Sequence, residues 1–324
     1  MTEEQHEIRT QHTVSAAQAG QRIDKLLTTL LTEQDATMSR ARVQKIIEAV
    51  TVNAKPTKPA YRVEPGDVLD YPIPELPKPI EIVGENIPLD VVYEDAAIAA
   101  VNKPAGMVVH PALGHSSGTL VNAILGRWPE TAEVGEHGRA GIVHRLDKDT
   151  SGVILVAKTE AARRSLVKQF KARRVQKRYL ALVHGIPASE EGEINAPIGR
   201  DPKQRKKMAV VRDGRESVSF YKVLKNYGDV SLLEVLPRTG RTHQIRVHLM
   251  FIKTPVVGDA VYGFRRERRS RVKLKRQFLH AESLTLISPA TKKEITVRAP
   301  LPDDLQRILE TLERGLDEAR EEQS

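Results

Sequence analysis

Between Arg22 and Leu31 the apolar residues Ile23, Leu26, Leu27, Leu30 and Leu31 recur at steps of three and four, the spacing of one face of an amphipathic helix. A second short helix is expected next, capped by Ser39, with Val43, Ile46 and Ile47 on one face and Arg40, Arg42 and Lys45 on the other. Val50 and Val52, the polar turn Asn53-Ala54-Lys55, an extended stretch through Val63, the turn Pro65-Gly66-Asp67 and then Val68 and Leu69 read as a hairpin. The pattern thus predicts a helix-helix-hairpin module over residues 13–71, behind a polar leader at 1–12. Pro72, Pro74, Pro77, Pro79 and Pro88 then interrupt a stretch with little periodicity, so residues 72–88 are expected to form a stiff, extended linker.

From Leu89 onward strand-like runs at Ile98 to Val101, Val153 to Ala157, Tyr179 to His184, Val218 to Leu224 and Val230 to Leu236 are interspersed with helical ones. The helices are expected at Leu120 to Leu125, Ala161 to Ala172 and His243 to Ile252. This predicts an α+β (mixed α/β) domain over residues 89–312 with a central, largely antiparallel sheet. Pro302, Leu305, Ile308, Leu309, Leu312 and Leu316 mark a last amphipathic helix, and residues 313–324 read as an acidic tail.

A chain of 324 residues suits about two domains. Aromatics make up only 4%, so the core must be aliphatic. Lys and Arg outnumber Asp and Glu by 51 to 42, a net charge of +9 that favours an anionic partner. The basic residues are clustered. Arg163, Arg164, Lys168, Lys171, Arg173, Arg174, Lys177 and Arg178 share a segment without an acid, and Arg265 to Arg276 carries only Glu267. Such runs serve as solvated faces or as phosphate contacts, and two of them beside the basic second helix favour phosphate. The absence of cysteine excludes disulfides and thiolate metal sites. No apolar run approaches the ~18 residues of a membrane span, and the polar, acidic N-terminus does not read as a signal peptide. A cytoplasmic protein without membrane contact is therefore expected.

The segment Gly141 to Gly152 packs His144, Arg145, Asp147, Lys148 and Asp149 immediately ahead of an apolar strand, as functional loops at a sheet edge often do. On these residues alone an Asp here is more often a turn or capping residue than a catalyst. The whole run His144-Arg145-Leu146-Asp147-Lys148-Asp149-Thr150-Ser151-Gly152, however, resembles the signature of the RluA family of pseudouridine synthases, in particular its RluD branch. Further blocks resemble that family in the same order: Val101 to Gly106 with Val109-His110-Pro111, Lys177-Arg178-Tyr179 with Val183-His184-Gly185, Thr239 to His248, and Val257-Gly258-Asp259 with Tyr262-Gly263.

The resemblance implies an N-terminal S4-like RNA-binding domain joined to a catalytic domain that isomerises uridine in structured RNA, with large-subunit (23S) ribosomal RNA the first expectation and other rRNA or tRNA next. It implies Asp147 as the catalytic carboxylate, Arg246 as the arginine paired with it and Tyr179 as the tyrosine that stacks on uracil. Periodicity alone would place Tyr179 in the core, and an ordinary buried ion pair would account equally for Arg246. Arg145 resembles the arginine that fills the gap left by the flipped-out nucleotide, and Arg40, Arg42, Lys45 and His144 complete the expected RNA-binding set.

The reaction breaks N1–C1′, turns the uracil and rejoins it through C5. A carboxylate can stabilise the resulting sugar cation, bond to C1′ or take a sugar proton. Asp149, just ahead of Thr150-Ser151-Gly152, is expected to make local backbone hydrogen bonds instead. His243 and His248 are five apart, off a common helix face, and His-Glu-x-x-His is absent, so no metal and no organic cofactor is expected. Expected partners are structured RNA, including rRNA within pre-ribosomal particles, with the enzyme a monomer. A non-catalytic RNA-binding or ribosome-assembly factor would use the same basic surfaces, but pure binding requires no Asp147, Tyr179 and Arg246 trio; an RNA glycosylase releasing free base would share the first chemical half of the reaction.

Overall fold

The computed structural model of the chain describes residues 8–34, 43, 44, 46–73, 82–111, 115–135, 138–204, 207–263 and 272–321. Its backbone contacts separate two compact units, residues 1–80 and 81–324.

In the first unit, helix α1 (Ile23–Gln34) buries Ile23, Leu26, Leu27 and Leu31 against Val43, Ile47, Val52, Leu69 and Tyr71. The sheet beside it has the order β1-β4-β2-β3, from strands β1 (Arg9–Thr13), β2 (Thr51–Val52), β3 (Lys55–Pro56) and β4 (Val68–Pro72). Asp67 staples the turn before β4, accepting from Asn53 Nδ2 at 2.8 Å, Tyr61 Oη at 2.9 Å and Glu64 N–H at 2.8 Å. The leader expected at 1–12 is therefore too long. Arg9–Thr13 is an edge strand without an apolar residue, placed by its antiparallel ladder to β4 and by Arg9 Nε donating to Asp70 Oδ1 at 2.6 Å. Most of the expected second helix and the proline-rich stretch at 74–81 lie outside the described residues.

The second unit is built on nine strands: β5 (Val91–Glu94), β6 (Ile98–Lys103), β7 (Ser151–Ala157), β8 (Gln176–His184), β9 (Glu191–Asn195), β12 (Val218–Asn226), β13 (Val230–Pro237), β14 (Leu279–Ile287) and β15 (Glu294–Arg298). A separate hairpin joins β10 (Ile198–Arg200) to β11 (Met208–Val210). The large sheet runs β5-β6-β7-β14-β8-β13-β12-β9, with β15 also paired to β14. Every pairing in it is antiparallel except β7 with β14, which run parallel for the two residue pairs His280↔Ser151 and Ala281↔Gly152.

All seven residues of β7 are buried. Ile154 and Val156 face one core with Leu120, Val121 and Ile124 of α2 (Leu120–Arg127), Ile245 and Leu249 of α4 (Gln244–Phe251) and Leu305 of α5 (Asp303–Glu321). Val153, Leu155 and Ala157 face a second core with Ala162 and Leu166 of α3 (Glu160–Lys171). Burial on both faces explains why β7 reads as an unbroken apolar run. Thr119 caps α2 in a reciprocal box with Asn122, and Thr159 caps α3, accepting from Ala162 N–H at 3.2 Å. The acidic tail placed at 313–324 is corrected as well. Helix α5 continues to Glu321, because Leu312 and Leu316 still pack on the core and Glu313 accepts from Tyr227 Oη at 2.7 Å.

Candidate active site

The loop 144–150 enters β7 at the point where that strand meets β14. Gly152 has φ +116°, and a Cβ there would stand 2.1 Å from the Ala281 carbonyl oxygen, so only glycine allows the two strands this approach. Lys103, at the end of β6, ties the loop down from below. Its wholly buried ammonium donates to the carbonyls of Pro104 (2.8 Å), Met107 (3.0 Å) and Lys148 (3.0 Å). Burial lowers the Lys103 pKa to about 8, against the opposing charges of Asp149 and Asp147. Gly106 N–H donates to Lys148 O at 2.9 Å and Thr150 N–H to Asp147 O at 3.1 Å, so the backbone at Asp147 is held from both sides.

Opposite this loop, Arg246 rises from the first turn of α4. The helix is seated by Gln244, whose Oε1 accepts from Thr239 Oγ1 (2.7 Å) and Arg241 N–H (3.0 Å) and whose Nε2 donates to Val218 O (3.0 Å). One turn on, His248 bonds Ser219 Oγ through Nδ1 and Ala196 O through Nε2, each at 3.0 Å. Arg246 is 5% exposed and spans two carboxylates. It gives Nε (2.7 Å) and Nη2 (2.9 Å) to Asp259 and Nη1 (2.9 Å) to Asp147 Oδ2. Asp259 Oδ1 also accepts from the Val261 and Tyr262 N–H groups at 2.9 Å each.

Burial disfavours the Asp259 anion, but Arg246 and these amides outweigh it and hold its pKa below the ordinary carboxylate value. For Arg246 burial likewise opposes the charge, and Asp259, then Asp147, raise its pKa overall. Tyr262 lies under the guanidinium, 5.0 Å from carbon to ring centre, and its hydroxyl bonds His243 Nδ1 at 2.9 Å.

Asp147 faces a cleft of about 500 Å³, within the usual range for a ligand pocket. Tyr179 from β8, His144, Phe170 and the turn 237–242 form its walls. Among the described residues Asp147 is the single acid lining this cleft, against Arg145, Lys171, Arg173, Lys177, Arg238, Arg241 and Arg246. The cleft is therefore cationic around one carboxylate. Burial, then the charge of Asp147, raises the pKa of Tyr179. Its hydroxyl stays protonated at neutral pH and offers a flat ring and a donor, not a phenolate.

The structure thus brings together Asp147, Arg246, Tyr179, Arg145 and His144, whereas Arg40, Arg42 and Lys45 lie outside the described residues. His144 is partly committed to the fold. Its Nε2 accepts from Leu155 N–H at 2.9 Å and its ring packs 5.0 Å from Phe170, while burial and then Lys177 push its pKa down to about 3. Among the described residues Asp149 makes none of the local side-chain hydrogen bonds expected of it. Its carbonyl is used instead, accepting from Arg276 Nη1 at 3.3 Å. Arg276, counted in the second basic cluster, is an interior clamp that also grips Asp304 through Nε (2.7 Å) and Nη2 (2.9 Å). In the first cluster Arg163 pairs with Glu160, Arg173 with Glu216, and Arg178 with Glu234 and Glu282. Lys103 and Asp259 are the positioning residues that residue-by-residue reading missed; a lysine ending an otherwise apolar strand was the available signal for the first.

A sheet of this order, with an arginine-held aspartate in a cationic cleft, defines a class. The sequence model described as RNA pseudouridylate synthase matches residues 97–250. The chain is 52% identical over 302 residues to an uncharacterised RNA pseudouridine synthase of Chloroflexus aurantiacus, covering 93% of this chain and 92% of that one. It is 41% identical over 313 residues to the ribosomal large subunit pseudouridine synthase D of Xanthomonas campestris pv. campestris, covering 93% and 92%. The solved structure of human RNA pseudouridylate synthase domain containing 1 superposes with a TM-score of 0.53 at 29% identity, covering 71% of this chain and 96% of the human one. The chain belongs to the RNA pseudouridine synthase family, enzymes that isomerise uridine in RNA.

Proposed function

We propose that this enzyme converts uridine to pseudouridine in large-subunit ribosomal RNA, with Asp147 acting on the sugar carbon, Tyr179 stacking on the displaced uracil and Arg246 orienting the carboxylate. The observation that carries the reading is the Arg246–Asp147 contact at 2.9 Å inside a cleft whose other charged lining residues, among those described, are lysines and arginines. Cleavage of N1–C1′ leaves positive character on the ribose, and a fixed anion in a partly desolvated cleft stabilises that charge more than water does. The surrounding lysines and arginines suit the phosphates on either side of the target. Arg145, exposed two residues before Asp147, is placed to occupy the stack that the flipped nucleotide vacates.

Large-subunit rRNA is the substrate named for the relatives called ribosomal large subunit pseudouridine synthase D, at 41% and 42% identity. The same reading assigns residues 13–71 as an S4-like RNA-binding domain, with Arg40, Arg42 and Lys45 on phosphates. It puts a monomeric enzyme in the cytoplasm, acting on rRNA that is free or within pre-ribosomal particles.

The test is Asp147→Asn, which keeps volume and most hydrogen-bonding shape but removes the charge. If the carboxylate supplies about 5 kcal/mol of transition-state stabilisation, tritium release from C5-labelled rRNA falls by roughly four powers of ten while filter-retained RNA is unchanged. Asp149→Asn costs far less. Activity of Asp147→Asn within about tenfold of the parent removes Asp147 from the mechanism, and pseudouridine mapping in rRNA from a deletion strain identifies the target.

A further inference from the structure

We infer that the cleft contains a dedicated phosphodiester subsite, formed by Lys177, Arg241 and Arg173 with Glu216 as its counter-ion in the free enzyme, which grips the RNA backbone beside the target uridine. The inference rests on RNA being the substrate, as proposed above, and adds where and how its backbone is held.

Lys177 and Tyr179 are two residues apart on β8 and both line the cleft. The Lys177 ammonium donates to Thr239 O at 2.7 Å, and among the described residues no carboxylate lies within ion-pair distance of it. Burial, then the charge of Arg241, lowers its pKa to about 8. An ammonium has three N–H donors, and a buried one without a counter-charge is costly unless an anion completes it.

Arg241 stands beside it on the turn ahead of α4, where its own N–H is fixed by Gln244. Burial, then Arg215 and Arg173, disfavour its charge, opposed by Glu216. Glu216 joins this group, accepting from Arg173 Nη2 on its carboxylate (3.0 Å) and from Arg241 Nε on its carbonyl (3.2 Å). Its side chain is 61% exposed, so it can swing away at little cost.

Three cations on three separate elements therefore converge where the local acid is exposed and shared. A phosphodiester fits this arrangement. It carries one negative charge on two terminal oxygens, which can accept a guanidinium fork and an ammonium together. Uracil is neutral, and the backbone is the anion that an RNA substrate must bring into this cleft. Its arrival supplies the counter-charge that Lys177 lacks and displaces Glu216 from Arg173.

Phosphate-ethylation interference tests this with the full-length protein and transcripts of large-subunit rRNA as the probe. Wild-type protein is expected to reject molecules ethylated at one phosphate adjoining the modified uridine. Lys177→Met and Arg241→Gln should each bind about tenfold more weakly, with a salt slope lower by about one, and should no longer discriminate at that phosphate. Glu216→Gln should tighten binding about threefold, and the gain should vanish in an Arg173→Gln background, while Glu191→Gln on the sheet edge changes nothing. Unaltered interference in Lys177→Met and Arg241→Gln, or a Glu216→Gln gain that survives without Arg173, would overturn the subsite in favour of general charge attraction. Pseudouridine in the unmodified transcripts is scored separately. Its absence sinks the isomerase reading, whereas the interference patterns decide the subsite either way.

Discussion

Arg246 gives Asp147 a single guanidinium N–H and gives Asp259 two donors. The asymmetry makes Asp259 the anchor and Asp147 the working end. The buried partner fixes the plane of the guanidinium, and Asp147, the proposed catalytic carboxylate, touches only its free edge, so one of its oxygens is left to the cleft.

Asp259→Asn should consequently injure both stability and catalysis. Removing one member of a buried ion pair costs about 3–5 kcal/mol, because the charge left behind is uncompensated. Urea unfolding is expected to shift by that order, and kcat for tritium release to fall more than KM rises, since binding surfaces stay intact. A variant of parental kcat would show that Arg246 orients Asp147 without Asp259. The wild-type contribution has a definite pH window. The folded pKa of Asp259 is depressed, so its stabilisation is complete above the unfolded value near ~3.9 and is lost as pH falls below it.

Lys103→Met tests the tie beneath the loop. It strands three carbonyls that accept from one ammonium, at about 1–3 kcal/mol for a buried group left unsatisfied. Thermal unfolding should drop accordingly, and single-turnover isomerisation at saturating RNA should slow as Asp147 loses its backbone support. Unchanged turnover in a folded variant would confine Lys103 to stability.

His144 sets a pH dependence of opposite chemistry and the same sign. Its folded pKa, about 3, lies below the unfolded ~6.5, so neutral imidazole is favoured in the fold. The stabilisation is present above pH ~6.5 and is lost as pH falls toward the folded value, with a slope of at most about 1.4 kcal/mol per pH unit. Since His248 and His280 also have depressed values, the comparison is with His144→Gln, whose stability curve from pH 7 to 4 should be flatter than the parent's. Parallel curves would remove His144 as the source.

Deleting residues 1–80 should leave a folded second unit, because each unit has its own core. KM for long RNA should rise and the salt dependence of binding weaken, with the saturated rate little changed. Collapse of the single-turnover rate would show that the first unit helps assemble the cleft. In the intact chain limited proteolysis should cut within 72–88.

Elements whose burial is regular were legible in the sequence. Helix α1 shows its face at Ile23, Leu26, Leu27 and Leu31, and β7 and β13 show continuous or alternating apolar runs. Strand β14 was not read, because buried His280 and Ser283 break its apolar pattern; His280 is satisfied by Ser151 Oγ at 2.9 Å and Ala299 O at 3.2 Å, partners remote in sequence. The edge strands β1 and β9 pair on one side and need little apolar surface. Asp147, Tyr179 and Arg246 came from the family motif rather than from periodicity, which favoured a turn residue, a core tyrosine and a structural ion pair. Asp259 went unnoticed as an anchor because its function depends on a fold that brings residue 259 against residue 246 with the aspartate wholly buried.

The insertion of β14 between β7 and β8 also orders events during synthesis. The loop bearing Asp147 leads into β7 and Tyr179 lies on β8, yet these strands are joined through a strand translated more than a hundred residues after the loop. Pairing across such a separation forms late. In a nascent chain stalled before Leu279, Tyr179 on β8 and the Asp147 loop ahead of β7 would lack the strand that pairs with both, so isomerisation of RNA near the ribosome that is making the enzyme is expected only once almost the whole polypeptide has emerged.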